Sequence, residues 1–148
     1  MSIKDKIDRC IKEGEKGGRH KGLRKIKISE EEIKGHLQKA IHNFKAMIDF
    51  QRIGYSDWSA SASFYCLYHC LLALILKEGY ESRNQSCTFA YIEEMIRKTK
   101  ISLNKEELNE IRENMQYSIK TSLEDKEFLE LKERTKKLFD KLRNDIEK

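Results

Sequence analysis

Residues 58–79 constrain the fold most, because they are apolar around almost the whole circumference of a helix. Their sequence is WSASASFYCLYHCLLALILKEG. Small residues alternate in the first half, where they allow a neighbouring helix to approach closely, and bulky Leu and Ile residues follow. Such a helix must be covered on several sides by other helices. The sequence therefore predicts a central helix over residues 57–78.

The remaining segments also have a helical pattern, with apolar residues at spacings of three and four and no proline anywhere. Capping boxes predict helix starts at Ser29, with Glu32, and at Asn104, with Glu107. Valine is absent, and no alternation of apolar and polar residues predicts a strand. We predict an all-α fold, an up-and-down bundle with a four-helix core and five helices in total. We expect its core to contain Leu72, Ile75, Leu76, Phe89 and Ile111.

The first 28 residues differ from the rest of the chain in charge. They contain ten Lys or Arg and four acidic residues, a net charge of +6, whereas the whole chain carries +5. We predict a flexible basic N-terminal arm over residues 1–28 and a helical bundle domain over residues 29–148. Two interpretations of the arm stay open: phosphate contacts to RNA or DNA, or a solvated and disordered terminus.

Composition also bears on the compartment and on metals. We find no apolar run of membrane-spanning length and no signal peptide, so we expect a cytoplasmic protein with no membrane contact.

No C-x-x-C pair occurs, and we expect reduced thiols at Cys10, Cys66, Cys70 and Cys87. Cys66, His69 and Cys70 share one side of the central helix, but zinc sites normally show paired ligands in tight spacing. We therefore expect no metal and no cofactor.

A polar stretch, residues 83–85, separates the central helix from the next amphipathic helix and consists of Arg83, Asn84 and Gln85. A guanidinium and two amides beside the backbone N–H groups of a helix N-terminus can hold an anion. The alternative is an ordinary N-cap formed by Asn84 or Ser86, with Arg83 in solvent. The sequence contains no phosphate-binding glycine loop and no hydrolase or metalloprotease motif, so its motifs do not indicate an enzyme.

Three short motifs of the chain occur together: FY..YH in the central helix, a GY turn after it, and a later arginine with a tyrosine five residues on. These residues are Phe64, Tyr65, Tyr68, His69, Gly79, Tyr80, Arg112 and Tyr117. In these motifs, and over about residues 30 to 146, the chain resembles the HEPN superfamily, especially its small stand-alone prokaryotic members. The resemblance implies a homodimeric helical bundle, often encoded beside a minimal nucleotidyltransferase as a toxin–antitoxin pair.

Many members of this superfamily are metal-independent ribonucleases, in which a histidine follows the arginine after four to six residues. In this chain Tyr117 stands at that position, and a tyrosine hydroxyl, with an ordinary pKa of about 10, is a poor base at neutral pH. We therefore expect nucleotide or RNA binding. The expected binding residues are Arg83, Asn84, Gln85, Arg112 and Tyr117, with His69, Tyr65 and Tyr68 as accessory residues.

Two other functions stay open at this point. One is a metal-independent endoribonuclease with an altered active site, in which His69 or His42 replaces the missing histidine. The other is a non-catalytic structural partner subunit, which needs only the helical bundle and a face for dimerisation.

Overall fold

A computed structural model describes residues 1–17, 21–113 and 121–148. Helices make up most of the described chain, which confirms the all-α class. The described elements, in chain order, are α1 (Ile3–Glu15), β1 (Leu23–Lys25), α2 (Glu30–Arg52), α3 (Asp57–Lys77), β2 (Tyr80–Ser82), α4 (Gln85–Arg97), α5 (Lys105–Glu113) and α6 (Asp125–Glu147).

Helix α3 lies at the centre of the bundle and contacts α2, α4, α5 and α6. Its small residues allow close approach, as the sequence predicts. The Ser59 hydroxyl donates to the Met47 carbonyl oxygen of α2 at 2.7 Å, and the Ser63 hydroxyl shares a hydrogen bond of 2.6 Å with Thr135 of α6. The α2–α3 pair and the α3–α6 pair are thus joined by buried hydroxyl groups as well as by apolar contact.

The predicted core is confirmed at four positions of five. Ile75 and Ile111 are fully buried, and Leu76 and Phe89 are nearly so. Leu72 is only partly buried and packs at the edge of the core.

Both predicted capping boxes begin helices. The Ser29 hydroxyl accepts from the Glu32 backbone N–H at 3.3 Å at the start of α2. At the start of α5, the Asn104 side chain accepts from the Glu107 N–H at 2.8 Å, and the Glu107 carboxylate accepts from the Asn104 N–H at 3.0 Å. These helix starts depend on contacts three residues apart, which is why the sequence predicts them.

The length and hydropathy of α3 would suffice to cross a membrane, contrary to our expectation that no segment of this kind exists. However, 72% of its most apolar window is buried inside the bundle. Other helices cover the apolar surface of α3, so its hydropathy is explained by its central position in the core.

The predicted count of five helices is wrong for the described residues, which contain six. The additional helix is α1, within the segment predicted as a flexible arm. It begins with an N-cap in which the Ser2 hydroxyl accepts from the Asp5 N–H at 3.1 Å, and its Ile7 side chain is buried in the main core. We missed α1 because we read its dense charges and nearby glycines as signs of disorder. The proposed boundary at residue 28 stays a prediction.

The expectation of no strands is also wrong. Strands β1 and β2 pair antiparallel, with Leu23 opposite Ser82 and Lys25 opposite Tyr80. Gly22, at a positive φ of 75°, packs so closely on α1 that a Cβ atom there would lie 2.1 Å from the Cys10 carbonyl oxygen. Strands of three residues are too short to show the alternation from which strands are predicted.

The expectation of four reduced cysteines is wrong for two of them. Cys10 of α1 and Cys87 of α4 form a disulfide bond, while Cys66 and Cys70 of α3 are free and buried. The bonded cysteines are 77 positions apart in the sequence. They meet only because α1 packs against α4, and no local pattern predicts that contact.

Candidate functional site

The 83–85 stretch joins β2 to the N-terminus of α4, and Asn84 is the N-cap of that helix. Its side-chain oxygen accepts from the Cys87 backbone N–H at 2.7 Å. The ordinary N-cap interpretation is therefore correct for Asn84, whereas Gln85 is the first residue of the helix. A ligand at this helix end would meet a backbone whose first turn is already capped.

Arg83 is anchored by its neighbours at the protein surface. Its guanidinium donates to one carboxylate oxygen of Glu81, from Nε at 3.0 Å and from Nη2 at 2.5 Å. The Arg83 backbone N–H donates to the Gly22 carbonyl oxygen at 2.9 Å, which attaches the 83–85 stretch to the residues before β1. Arg83 is therefore not a simply solvated side chain, and an anion bound here would compete with Glu81.

Buried hydroxyl groups support the 83–85 stretch from the core side. The Tyr68 hydroxyl shares a hydrogen bond of 2.9 Å with Thr88 Oγ1. Thr88 Oγ1 also lies 2.6 Å from Ser82 Oγ and 3.1 Å from the Asn84 carbonyl oxygen. Burial raises the pKa of Tyr68, so its hydroxyl remains protonated. Tyr68, predicted as an accessory residue, thus lies beneath the stretch, and Thr88 is a support that sequence reasoning missed.

Arg112, on α5, packs against α4. Its guanidinium carbon lies 4.9 Å from the centre of the Phe89 ring, and its Nη2 lies 3.9 Å from a carboxylate oxygen of Glu93. The side chain is 41% exposed. Phe89 follows Asn84 by five residues, which is about 7.5 Å along a helix axis. Arg112 and the 83–85 stretch therefore meet the same helix, while Tyr117 lies outside the described residues.

His69, the other predicted accessory residue with a titratable ring, pairs with His36 across the α2–α3 contact. The two Nδ1 atoms are 2.9 Å apart, so one ring carries a proton on Nδ1 and the other accepts it. Burial, with smaller contributions from His36 and Lys39, lowers the pKa of His69 to about 4. Burial also lowers the pKa of His36, against an opposing effect of Glu32. Both rings are neutral at pH 7.

His36 was missed by the sequence analysis, although its position on the same helical face as Ile33 and Ala40 was a usable signal. Tyr65 is 46% exposed, and its ring meets the Phe64 ring edge to face at 5.2 Å. His42 is exposed on α2. The hydrogen-bond partner of His69 is on α2, whereas the ring that Arg112 contacts is on α4, so these two predicted site residues have partners on different helices.

The zinc-like set considered from the sequence is not assembled. Cys87, the one cysteine that could have added a fourth ligand to Cys66, His69 and Cys70, is bonded to Cys10, and the Nδ1 atom of His69 faces His36. Within residues 1–17, 21–113 and 121–148, no group of three or more His, Cys, Asp or Glu side chains has an arrangement that could hold a metal ion.

A comparison with protein-family models matches residues 33–147 to the HEPN domain. The chain belongs to the HEPN domain family. This membership confirms the resemblance seen in the sequence. The HEPN match covers most of α2 and all of α3 to α6, and it omits α1 and β1, so the disulfide joins a segment outside the match to a helix inside it. No curated protein matches the chain.

Proposed function

We propose that this HEPN domain binds nucleotide or RNA, with Arg112, Tyr117 and the 83–85 stretch as its phosphate-binding residues. The observation that carries the proposal is the long distance between the Arg112 guanidinium and the Glu93 carboxylate. A separation of 3.9 Å from Glu93 is too long for a hydrogen bond, so this ion pair leaves guanidinium donors available. The Phe89 ring, whose centre lies 4.9 Å from the guanidinium carbon, favours a cation at this position. A phosphate could then accept two parallel hydrogen bonds from the edge of the Arg112 guanidinium.

Arg143 differs from Arg112 in that it forms a hydrogen bond with a neighbouring carboxylate. It is similarly exposed, at 43%, and also lies near a phenylalanine, with 6.0 Å to the centre of the Phe139 ring. However, its Nε donates to the Glu147 carboxylate at 2.9 Å. Arg143 therefore serves as a matched control for Arg112.

The experiment measures binding of a fluorescent single-stranded RNA by anisotropy and inspects the same RNA on a gel. We expect Arg112→Ala to weaken binding by about 1.5 to 3 kcal/mol, the value of a charge-assisted hydrogen bond, while the RNA stays intact. Arg143→Ala should leave the affinity unchanged. Equal losses in the two variants, or no loss in Arg112→Ala, would contradict the assignment of the site.

We further propose a homodimer and a minimal nucleotidyltransferase partner, in a toxin–antitoxin pair, as the superfamily resemblance implies. Exposed apolar side chains at the turn between α2 and α3 support a protein contact there: Ile53 is 66% exposed, Tyr55 56% and Trp58 55%.

The proposed location is the cytoplasm, where most disulfides are reduced. Cys10 and Cys87 are each 3% exposed, so a small thiol reaches their bond only after α1 moves away. This shielding would allow the bond to persist in a reducing compartment.

A ribonuclease with an altered active site is the second candidate function. It would need His69 or His42 to act as the base, and a pKa of about 4 makes the His69 imidazole a weaker base than an ordinary histidine. The same gel assay decides between the two functions. Cleavage by the unaltered protein that is lost in His69→Ala or His42→Ala, and kept in Arg112→Ala, would replace the binding proposal. If the protein neither binds nor cleaves RNA and binds no nucleotide, the structural partner subunit is the function that remains.

A further inference from the structure

We propose that residues 1–17 and 21–27 form a folded platform for the phosphate backbone of single-stranded RNA, attached to the HEPN domain beside the 83–85 stretch. This inference rests on the proposed RNA binding and adds a second, sequence-independent contact surface to it. We call this surface the basic platform and define it by six of the exposed cations in this segment: Arg9, Lys12, Lys16, Arg24, Lys25 and Lys27.

The platform is a folded unit held to the bundle at several points. The Cys10–Cys87 disulfide joins α1 to the first turn of α4. Leu23 of β1 is fully buried, and Ile7 of α1 is buried in the same core. Gly14 approaches β1 so closely that a Cβ atom there would lie 2.0 Å from the Leu23 carbonyl oxygen. Packing therefore sets the positions of α1 and β1, and with them the backbone positions of the cations that these elements carry.

The cations of the platform are not neutralised by partners. None of the six takes part in an ion pair among the residues that the structure describes. By contrast, Lys100 and Lys141 of the bundle each lie 2.9 Å from a carboxylate oxygen. The excess positive charge of the chain lies in this segment, and although α1 also carries four acidic residues, none of them pairs with the six platform cations among the described residues.

The arrangement of the cations suits a polyanion that extends over the surface. Arg9, Lys12 and Lys16 follow one another at spacings of three and four, so they share the face of α1 opposite its buried residues. Arg24 and Lys25 are exposed on β1, which contacts α1 and pairs with β2. Since β2 leads directly into Arg83, a strand of RNA at the 83–85 stretch can continue over β1 and along α1.

A membrane surface is the less suitable partner. A basic amphipathic helix binds a membrane by burying its apolar face among the lipids. The apolar face of α1 is already occupied, because Ile7 and Cys10 pack in the protein core. Only the charged face is exposed, and it can make phosphate contacts without any insertion.

The test measures the salt dependence of binding to an unstructured oligouridine. The platform variant is Lys12→Gln, Lys16→Gln, Arg24→Gln and Lys25→Gln. Each phosphate contact to a single strand contributes about 0.7 to the slope of log affinity against log salt, so the slope should fall by about 2 to 3. Affinity at low salt should fall roughly tenfold or more.

A control with the same loss of charge separates local contacts from net charge. It carries Lys45→Gln, Lys126→Gln, Lys136→Gln and Lys137→Gln, all at exposed positions of α2 and α6. We expect this variant to keep nearly the slope of the unaltered protein. Equal decreases in both variants would overturn the platform, because only long-range charge would then matter.

Removing the disulfide tests whether the platform must be folded. Cys10→Ser with Cys87→Ser keeps every charge, so a flexible arm predicts unchanged affinity. A folded platform predicts a loss of roughly threefold or more, since the cations must then be ordered on binding. Circular dichroism checks that the variant stays helical. The unaltered protein, unfolded and refolded in reductant with the loss of the bond verified by peptide mapping, provides the same comparison without a substitution. Unchanged affinity in both experiments would overturn the folded platform.

The outcomes also separate this inference from the proposed function. If Arg112→Ala weakens binding and the platform variant does not, the platform is wrong and the Arg112 site stands. If the unaltered protein binds nucleotide but no RNA, the platform is wrong and the proposed nucleotide binding stands; if it binds neither, both are wrong. Binding to phosphatidylserine vesicles that is lost in the platform variant, with RNA binding unchanged, would assign the platform to a membrane surface instead.

Discussion

The Cys10–Cys87 disulfide should make a large contribution to stability, which Cys10→Ala with Cys87→Ala removes. The bond closes a loop over a sequence separation of 77 residues. In the chain-entropy account, a loop of this length destabilises the unfolded state by about 4.5 kcal/mol at 25 °C. Measured values for disulfides often fall below this estimate, and we expect a loss of about 3 to 5 kcal/mol. A domain of this size has a total stability of only about 5 to 15 kcal/mol.

Urea unfolding followed by far-ultraviolet circular dichroism measures this loss in the unaltered protein, with and without reductant, and in the double alanine variant. We expect the reduced protein and the variant to unfold at similar, lower urea concentrations. Reductant should not affect the variant, since Cys66 and Cys70 are free thiols. The reasoning fails if the oxidised and reduced forms of the unaltered protein have the same free energy of unfolding while peptide mapping shows that the bond was present and then broken.

Two further predictions concern the core and pH. Ile75→Ala should cost about 2 to 5 kcal/mol and Leu72→Ala clearly less, because Ile75 is fully buried and Leu72 is not; equal costs in urea unfolding would contradict the placement of Leu72. The pKa of His69 is about 4 in the folded protein against an ordinary 6.5, so its contribution to stability is complete above pH 6.5 and is lost as pH falls toward 4. After allowance for solvent screening, we expect stability to fall by about 1 to 2 kcal/mol over this pH range. His69→Gln should largely abolish this loss, whereas His42→Gln should not.

Much of the fold could be predicted because it depends on contacts close in sequence. The caps at Ser29 and Asn104 are hydrogen bonds between residues three apart. The central position of α3 follows from its composition, since a helix with no polar face has no surface to expose to water. Helix α1 was open to the same reasoning, because its Ile7, Cys10 and Gly14 share one buried face, but its charges obscured the pattern.

The candidate site could be predicted only in part. The 83–85 stretch is visible in the sequence as polar residues before a helix, and Arg112 comes from the family resemblance. The Phe89 ring beneath Arg112, the Thr88 hydroxyl beneath the stretch and the His36 partner of His69 come from other helices. No pattern within one helix specifies which side chain of another helix will face it.

The sequence by itself determined the all-α class, the central helix, most helix starts and the HEPN membership, because these depend on composition, on hydrogen bonds within one helical turn and on short motifs. Only the tertiary structure decided that Cys10 bonds to Cys87, that β1 pairs with β2 and that His36 faces His69. These contacts join residues separated by 33 to 77 positions, and they form only after apolar burial has brought α1 onto α4 and α2 onto α3. Their specificity lies in how helices pack, which a linear pattern of residues does not record.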